Sequence, residues 1–402
     1  MNVSLYVHVP VCTRRCDYCD FFTRAGVAPA IQAALITRTR EQWERYRRIY
    51  LVKRPISVYV GGGTPSALHG NARENLLSLI RSLRELPKGD VAGDPAPEIT
   101  VEVNPEDADR TFLAALEDNG VTRLSLGVQS LDRDTLAAIG RHTTLEDTRR
   151  GLETIAHTWN HPWNADIIVA IPDQTPTRAR RDVTGILAYD PDHVSLYELE
   201  IVPSTVLGHA VRRDRLRQLP EENAERILFE CGDLLENHGY EQYEVSAFAR
   251  PRFRSVHNLR YWRMEPYIGI GPGAVGTMPA EDGAGLPQRF EGTRDFQVFR
   301  NDGDFGVRRE NIGTPEFCRE HIMMAFRTID GLDSTRFRQV FGYDVERAIP
   351  KTLDSWSSFL LRSDRRLALN RGGLRLTNAF VRDAFIELDA NPPPRERPQW
   401  PV

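Results

Sequence analysis

Hydrophobic and polar positions switch between two periods along the first half of the chain. Short runs rich in apolar and β-branched residues fall at 4–10, 56–62, 98–104, 123–129, 164–171 and 193–201. The stretches between them, near 28–50, 71–86, 108–119, 146–157 and 177–188, read as helices. Strands alternating with helices predict βαβ units around a parallel sheet. Six units are too few for an eight-fold barrel, so the pattern predicts an α/β fold built as an open, partial (β/α)6 barrel. A doubly wound sheet is the alternative. In barrel folds the chemistry sits at the C-terminal ends of the strands. The unusual residues of this chain fall there. Cysteines follow the first strand, Gly61-Gly62-Gly63-Thr64-Pro65 the second, Asn104-Pro105 the third, Gln129-Ser130 the fourth and Pro172-Asp173 the fifth.

The second half reads differently. Residues 203–222 are charged, carry Pro203 and Pro220, and suggest a connector leading into a helix near 221–238. A polar and aromatic stretch, 240–278, follows. Helices are predicted at 315–329, 334–341 and 345–362, then a hairpin at 367–377 and a helix at 378–389. That set predicts a C-terminal, mainly helical, winged-helix-like domain. The expected division is 1–215, 216–390 and a Pro-rich tail, 391–402, expected to be disordered.

Composition narrows the class. Hydrophobic residues are 41% and charged residues 27% of 402, which suits a globular chain of two or three domains. The net charge of -4 gives no general affinity for nucleic-acid phosphates, and the arginines of the C-terminal part are interleaved with Asp and Glu. No run of about 18 apolar residues predicts a membrane span, and the N-terminus lacks the basic and apolar regions of a signal peptide. Five cysteines, three of them within eight residues, do not form a disulfide framework. They point instead to a reducing, cytoplasmic setting and to a metal or redox centre.

Cys12, Cys16 and Cys19 form C-x3-C-x2-C directly after a strand. Three thiolates on a tight loop can hold three irons of a cubic 4Fe–4S cluster and leave the fourth iron open. A small molecule with an amine and a carboxylate, such as S-adenosylmethionine, can chelate that iron. One-electron transfer then yields a 5′-deoxyadenosyl radical. A structural zinc site wants four ligands, and His8 is a possible fourth, but it lies along a strand and no paired C-x2-C occurs elsewhere. Cys231 and Cys318 lie in helical patterns and read as small core residues.

The string LYVHVPVCTRRCDYCDFF resembles the radical SAM superfamily, and more narrowly its branch of oxygen-independent coproporphyrinogen III oxidase relatives. The resemblance rests on Tyr6, His8, Pro10, the three cysteines, Tyr18 and Phe21. It continues through GGGTPS (61–66), VEVNPE (101–106), SLGVQS (125–130), IGRH (139–142), YEVSAFARP (243–251), HNLRYW (257–262) and GIGPGA (269–274). Coproporphyrinogen dehydrogenases of that branch carry a further cysteine where this chain has Phe21. With Phe21 and HNLRYW together, the chain is most similar to the branch's heme-chaperone members.

The resemblance implies binding of a 4Fe–4S cluster, S-adenosylmethionine and heme, with heme passed to an acceptor protein and electrons supplied by a donor such as flavodoxin or ferredoxin. It implies that Tyr6, Gly61, Gly62, Gly63 and Thr64 help hold S-adenosylmethionine. Glu102 and Arg141 would flank that cofactor, and Gln129 and Asp166 would reach toward it. For the glycines a plain strand-to-helix turn remains open. For Glu102 a salt bridge to an arginine such as Arg141 remains open. His257 is the implied heme ligand, with Tyr261 and Trp262 packing on the porphyrin, although ordinary burial of all three is the alternative. Two departures stand out. Val275 replaces the histidine of the usual GPGAH. Ala170-Ile171-Pro172-Asp173-Gln174-Thr175 replaces the usual G-L-P-G-Q-T. These leave room for an enzymatic alternative, either the coproporphyrinogen oxidase itself or a radical SAM methyltransferase or cyclopropanase.

Overall fold

Alternation of side chains along six strands sets the architecture of the first half. The strands are Ser4–Val9, Ser57–Gly62, Glu98–Val103, Arg123–Gln129, Trp163–Val169 and His193–Glu198, and neighbours in this order pair in parallel. One face of each strand is apolar and fully buried, through Leu5 and Val7, Val58 and Val60, Ile99 and Val101, Leu124 and Leu126, Ala165 and Ile167, Val194 and Leu196. That face packs on crossover helices, among them Asn71–Arg84, Arg110–Asp118, Leu145–Thr158 and Pro176–Leu187. Each buried aliphatic side chain contributes about 1.5–3 kcal/mol. The other face carries Ser4 and Tyr6, Ser57 and Tyr59, Thr100 and Glu102, Ser125, Asn164 and Asp166, His193 and Ser195. The barrel interior is therefore a polar column with its own hydrogen bonds. Asn164 Nδ2 donates to Ser125 Oγ at 2.7 Å and to Asp166 Oδ1 at 2.8 Å.

The computed structural model describes residues 1–86, 96–280 and 285–401. Its main sheet has twelve strands. A seventh parallel strand, Tyr267–Ile270, lies on the outer edge of the first strand. Antiparallel strands Val275–Pro279, Pro287–Glu291 and Arg308–Asn311 extend that side. At the far edge Ala247–Ala249 pairs antiparallel with His193–Glu198. The chain thus crosses the expected junction at 215/216 without leaving the sheet, and a separate core begins at Ile312. Polar alternation was too weak in 240–311 for these strands to be read from the sequence.

The C-terminal core gathers Phe317, Phe326, Phe337, Phe341 and Phe380. Three predicted details change here. The helix expected over 345–362 is broken by Pro350 into Val345–Ala348 and Pro350–Ser355. The hairpin pairs Leu360–Arg362 with Arg366–Leu369, earlier than expected. Residues Arg371–Arg375 form a short helix instead, with Asn370 Oδ1 accepting from Gly373 N. The Pro-rich tail is docked rather than disordered. Gln399 N donates to Val340 O at 3.0 Å, Trp400 Nε1 donates to Met264 O at 2.8 Å, and the Trp400 ring packs edge-on against Phe317.

The turn after the fifth strand explains one departure from the family pattern. Ala170 and Asp173 have φ of 59° and 61°. Both are left-handed, the region in which glycine carries no steric penalty and an L-residue pays about 1–2 kcal/mol. The turn places strained residues at the two positions where the pattern has glycine. No helix among the described residues is long and apolar enough to cross a membrane.

Candidate functional site

The first strand runs into the cysteine loop, and the loop is closed at its base. Val11–Cys12 pairs in parallel with Arg24–Ala25, and Arg24 N donates to Pro10 O at 2.9 Å. Within the loop Cys19 N donates to Cys16 O at 3.2 Å. The three cysteines are half-buried and free. All three thiols line the mouth of a cavity of about 970 Å³ at the C-terminal ends of the parallel strands. Burial pushes the Cys12 and Cys19 thiols up.

Three glycines fit the next corner to this loop, each for a different neighbour. A Cβ on Gly61 would lie 2.5 Å from the Glu102 carboxylate. One on Gly62 (φ 104°) would lie 2.2 Å from the His8 ring, and one on Gly63 would lie 2.6 Å from the carbonyls of Val9 and Val11. The close approach lets Gly63 N donate to Val9 O at 2.9 Å and Thr64 N to Val11 O at 2.7 Å. Thr64 Oγ1 then donates to Cys12 Sγ at 3.3 Å. A second glycine corner, Gly271 to Gly273, packs on His8 and Phe22 from the other side.

Charged side chains face the same cavity. Glu102 accepts from Gly62 N at 3.0 Å. Burial, together with the nearby Asp166, raises Glu102 to about 7, while hydrogen bonds from Tyr59 and Gly62 act against the rise. Burial likewise raises Asp166, which accepts from Ser125 Oγ at 2.9 Å. The salt bridge between Glu102 and Arg141 does not form. Arg141 instead donates from Nη2 to Asn104 Oδ1 at 2.9 Å and Gly127 O at 3.0 Å, and from Nη1 to Cys16 Sγ at 3.7 Å. Its Nε is buried without a partner. Gln129 (φ 66°) follows a break in strand register and turns its side chain into the cavity.

Of the residues singled out from sequence, Cys12, Cys16, Cys19, Gly62, Gly63, Thr64, Glu102, Gln129, Arg141 and Asp166 line this cavity. Gly61 and Tyr6 stand behind it. The Tyr6 hydroxyl is 2.8 Å from His8 Nδ1, and His8 Nε2 is 2.9 Å from Phe22 O, which uses both nitrogens of the candidate fourth zinc ligand. Val275 opens a strand held between Tyr267–Ile270 and Pro287–Glu291 and does not line the cavity. Tyr59, Asn104, Ser125, His142 and Tyr197 also line the cavity. The polar alternation of the strands was the signal that could have found Tyr59, Ser125 and Tyr197.

His257, Tyr261 and Trp262 are not brought to this site. They lie on the helix Val256–Trp262, which plugs the opposite, N-terminal end of the barrel. His257 is 1% exposed, with Nδ1 2.9 Å from Ser57 Oγ and Nε2 2.8 Å from the Tyr261 hydroxyl. Arg260 of the same helix donates to Ser4 Oγ at 2.6 Å, and Glu98 accepts from Val256 N and His257 N. Burial lowers His257 to about 3, so it stays neutral. With both ring nitrogens engaged and no exposure, His257 has no lone pair to offer heme iron. The motif packs as a structural plug.

A family model described as the radical SAM superfamily matches residues 6–182. The heme chaperone HemW of Escherichia coli is 34% identical over 336 residues, covering 83% of this chain and 85% of that protein. The heme chaperone HemW of Lactococcus lactis is 30% identical over 391 residues, covering 96% and 98%. Among solved structures, coproporphyrinogen III oxidase (HemN) from Escherichia coli superposes with a TM-score of 0.76 at 19% identity, over 97% of this chain and 90% of that one. That likeness carries the fold. The chain belongs to the radical SAM superfamily and, within it, to the family whose members are named heme chaperone HemW.

Two outcomes follow from the site. Replacing His257 by Ala leaves Ser57 and the Tyr261 hydroxyl without their partner and opens a cavity. A loss of about 2–4 kcal/mol is expected in urea unfolding, and a loss below about 0.5 kcal/mol would contradict the plug. For Glu102, the folded cofactor-free protein keeps a proton that the unfolded chain has lost. Its stability therefore falls as pH rises from 4.5 to about 7, by about 2–3 kcal/mol from this group. Glu102→Gln should flatten that slope in urea melts across the window, and an unchanged slope would refute the assignment.

Proposed function

We propose that this protein is a heme chaperone of the radical SAM type. It binds heme together with a 4Fe–4S cluster and S-adenosylmethionine, and transfers the heme to an acceptor protein. The observation that carries the reading is Phe21. It stands 67% exposed at the cavity mouth, where a fourth cysteine would mark a porphyrinogen decarboxylase. The relatives named heme chaperone HemW, aligned over most of the chain, support the same reading.

The residues present fit the cofactors. Three thiols open onto one cavity, and the Arg141 guanidinium beside Cys16, with its unpartnered Nε, suits the negative charge of a thiolate-bound cluster. Cys12, Cys16 and Cys19 would hold the cluster. The glycine corner and Thr64 would present backbone to S-adenosylmethionine, with Tyr6 supporting that corner through His8. Glu102 and Asp166 would face the cofactor's cationic groups, which repay the burial of two carboxylates. Arg141 and Gln129 would close the remaining sides. When bound, the cluster and S-adenosylmethionine supply one-electron chemistry. A small electron-transfer protein such as flavodoxin or ferredoxin would supply the electron, in a cytoplasmic setting.

The test is an anaerobic heme titration of the cluster-loaded protein, followed by difference absorption in the Soret region. The expected result is saturation near one heme per chain. Weak binding with no end point, together with turnover of S-adenosylmethionine into a methylated or decarboxylated product, would overturn the reading in favour of an enzyme.

A further inference from the structure

If the protein carries heme, the porphyrin needs a place that His257 does not provide. A heme site asks for three things: an apolar face for the ring, a free imidazole for the iron and a cation for the propionate carboxylates. All three occur on the rim of the cavity that the cysteine loop opens into.

The chain has ten histidines. His8, His193, His257 and His321 are buried. His157, His161, His209 and His238 each have a ring nitrogen in a hydrogen bond, and none of the four lines the cavity. His69 and His142 line it. Nδ1 of His69 is taken by Arg73 at 3.2 Å. His142 is exposed, and no hydrogen bond to its ring is found among the described residues. Its place beside the cysteine loop is fixed by its neighbours. A Cβ on Gly140 would lie 2.3 Å from Asp17 Cγ, and Arg141 donates to Cys16.

The same rim carries large exposed apolar surface. Phe21, two residues after Cys19, and Tyr197, near the end of the sixth strand, are 67% and 42% exposed. Aromatic rings left in water at the lip of a cavity mark a binding surface. Arg14, on the cysteine loop, is exposed on this rim and in no ion pair among the described residues. Glu198 and Glu200 line the mouth on the sixth-strand side and repel carboxylates, which directs the propionates toward Arg14.

We propose that heme seats across this rim, with its iron on the His142 imidazole, its ring against Phe21 and Tyr197, and a propionate on Arg14. The proposal rests on the heme-carrier reading and adds the site to it. Phe21 then has a positive role: the side chain in the fourth-cysteine position forms part of the porphyrin's seat.

Four variants of the cluster-loaded protein test it by anaerobic hemin titration. His142→Ala should shift the Soret band and weaken binding at least tenfold, and added imidazole should restore the band. Phe21→Asp and Arg14→Glu should each weaken binding several-fold without moving the band. His69→Ala should match the native protein. Tight binding by the native protein that His142→Ala retains, with an unchanged band, would overturn the site while leaving the carrier reading intact. Loss of the native signature in His69→Ala would overturn the choice of histidine. Failure of the native protein to bind hemin at all would overturn both.

Discussion

Close backbone approach at three consecutive glycines is the constraint on which the site depends. Gly61 makes room for the Glu102 carboxylate, Gly62 for the His8 ring, and Gly63 for the carbonyls of the strand that leads into the cysteine loop. A methyl group at any of them would push one of these apart. With all three absent, the Gly62 amide reaches Glu102, and the Thr64 amide and hydroxyl reach Val11 and Cys12. The corner thus fixes the separation between a buried acid and the first cysteine. On the proposed function, those are the two places where a cationic cofactor and a metal cluster would meet.

The polar interior divides into two ends with different work. Toward the C-terminal ends of the strands, the ionisable side chains of Glu102, Asp166 and Arg141 face an open cavity, and ionising a buried carboxyl there is costly unless a ligand compensates it. Toward the N-terminal ends, His257, Ser57, Ser4 and Arg260 bond to one another and close the barrel. Similar residue types occur at both ends. What separates them is access: His257 and Arg260 of the plug bond to neighbours inside the fold, while Arg141 keeps a buried Nε without a partner beside an open cavity.

This division explains what the sequence could and could not disclose. The six parallel strands and their helices were legible, because burial on one face and turn residues at strand ends leave strong local patterns. The cysteine loop and the glycine corner were legible for the same reason, since their spacing is local. The role of HNLRYW was not. A buried histidine with two neutral partners and a histidine open to a ligand look alike in sequence, and only the helix's docking against Ser4 and Ser57 tells them apart. His142 sits in the IGRH motif, and only its exposure on the cavity rim, with no hydrogen bond to its ring among the described residues, sets it apart from the other histidines. The docked tail was missed because proline content signals a lack of regular structure, not a lack of contacts. Trp400 supplies the contact.

On the proposed function, a radical SAM framework carries a porphyrin without altering it. The most direct test is mass spectrometry of the heme recovered after anaerobic incubation with the cluster-loaded protein, S-adenosylmethionine and a one-electron reductant. Heme of unchanged mass and no stoichiometric accumulation of 5′-deoxyadenosine are expected. A porphyrin that gains a methyl group or loses carboxyl groups, in step with cofactor cleavage, would contradict that function.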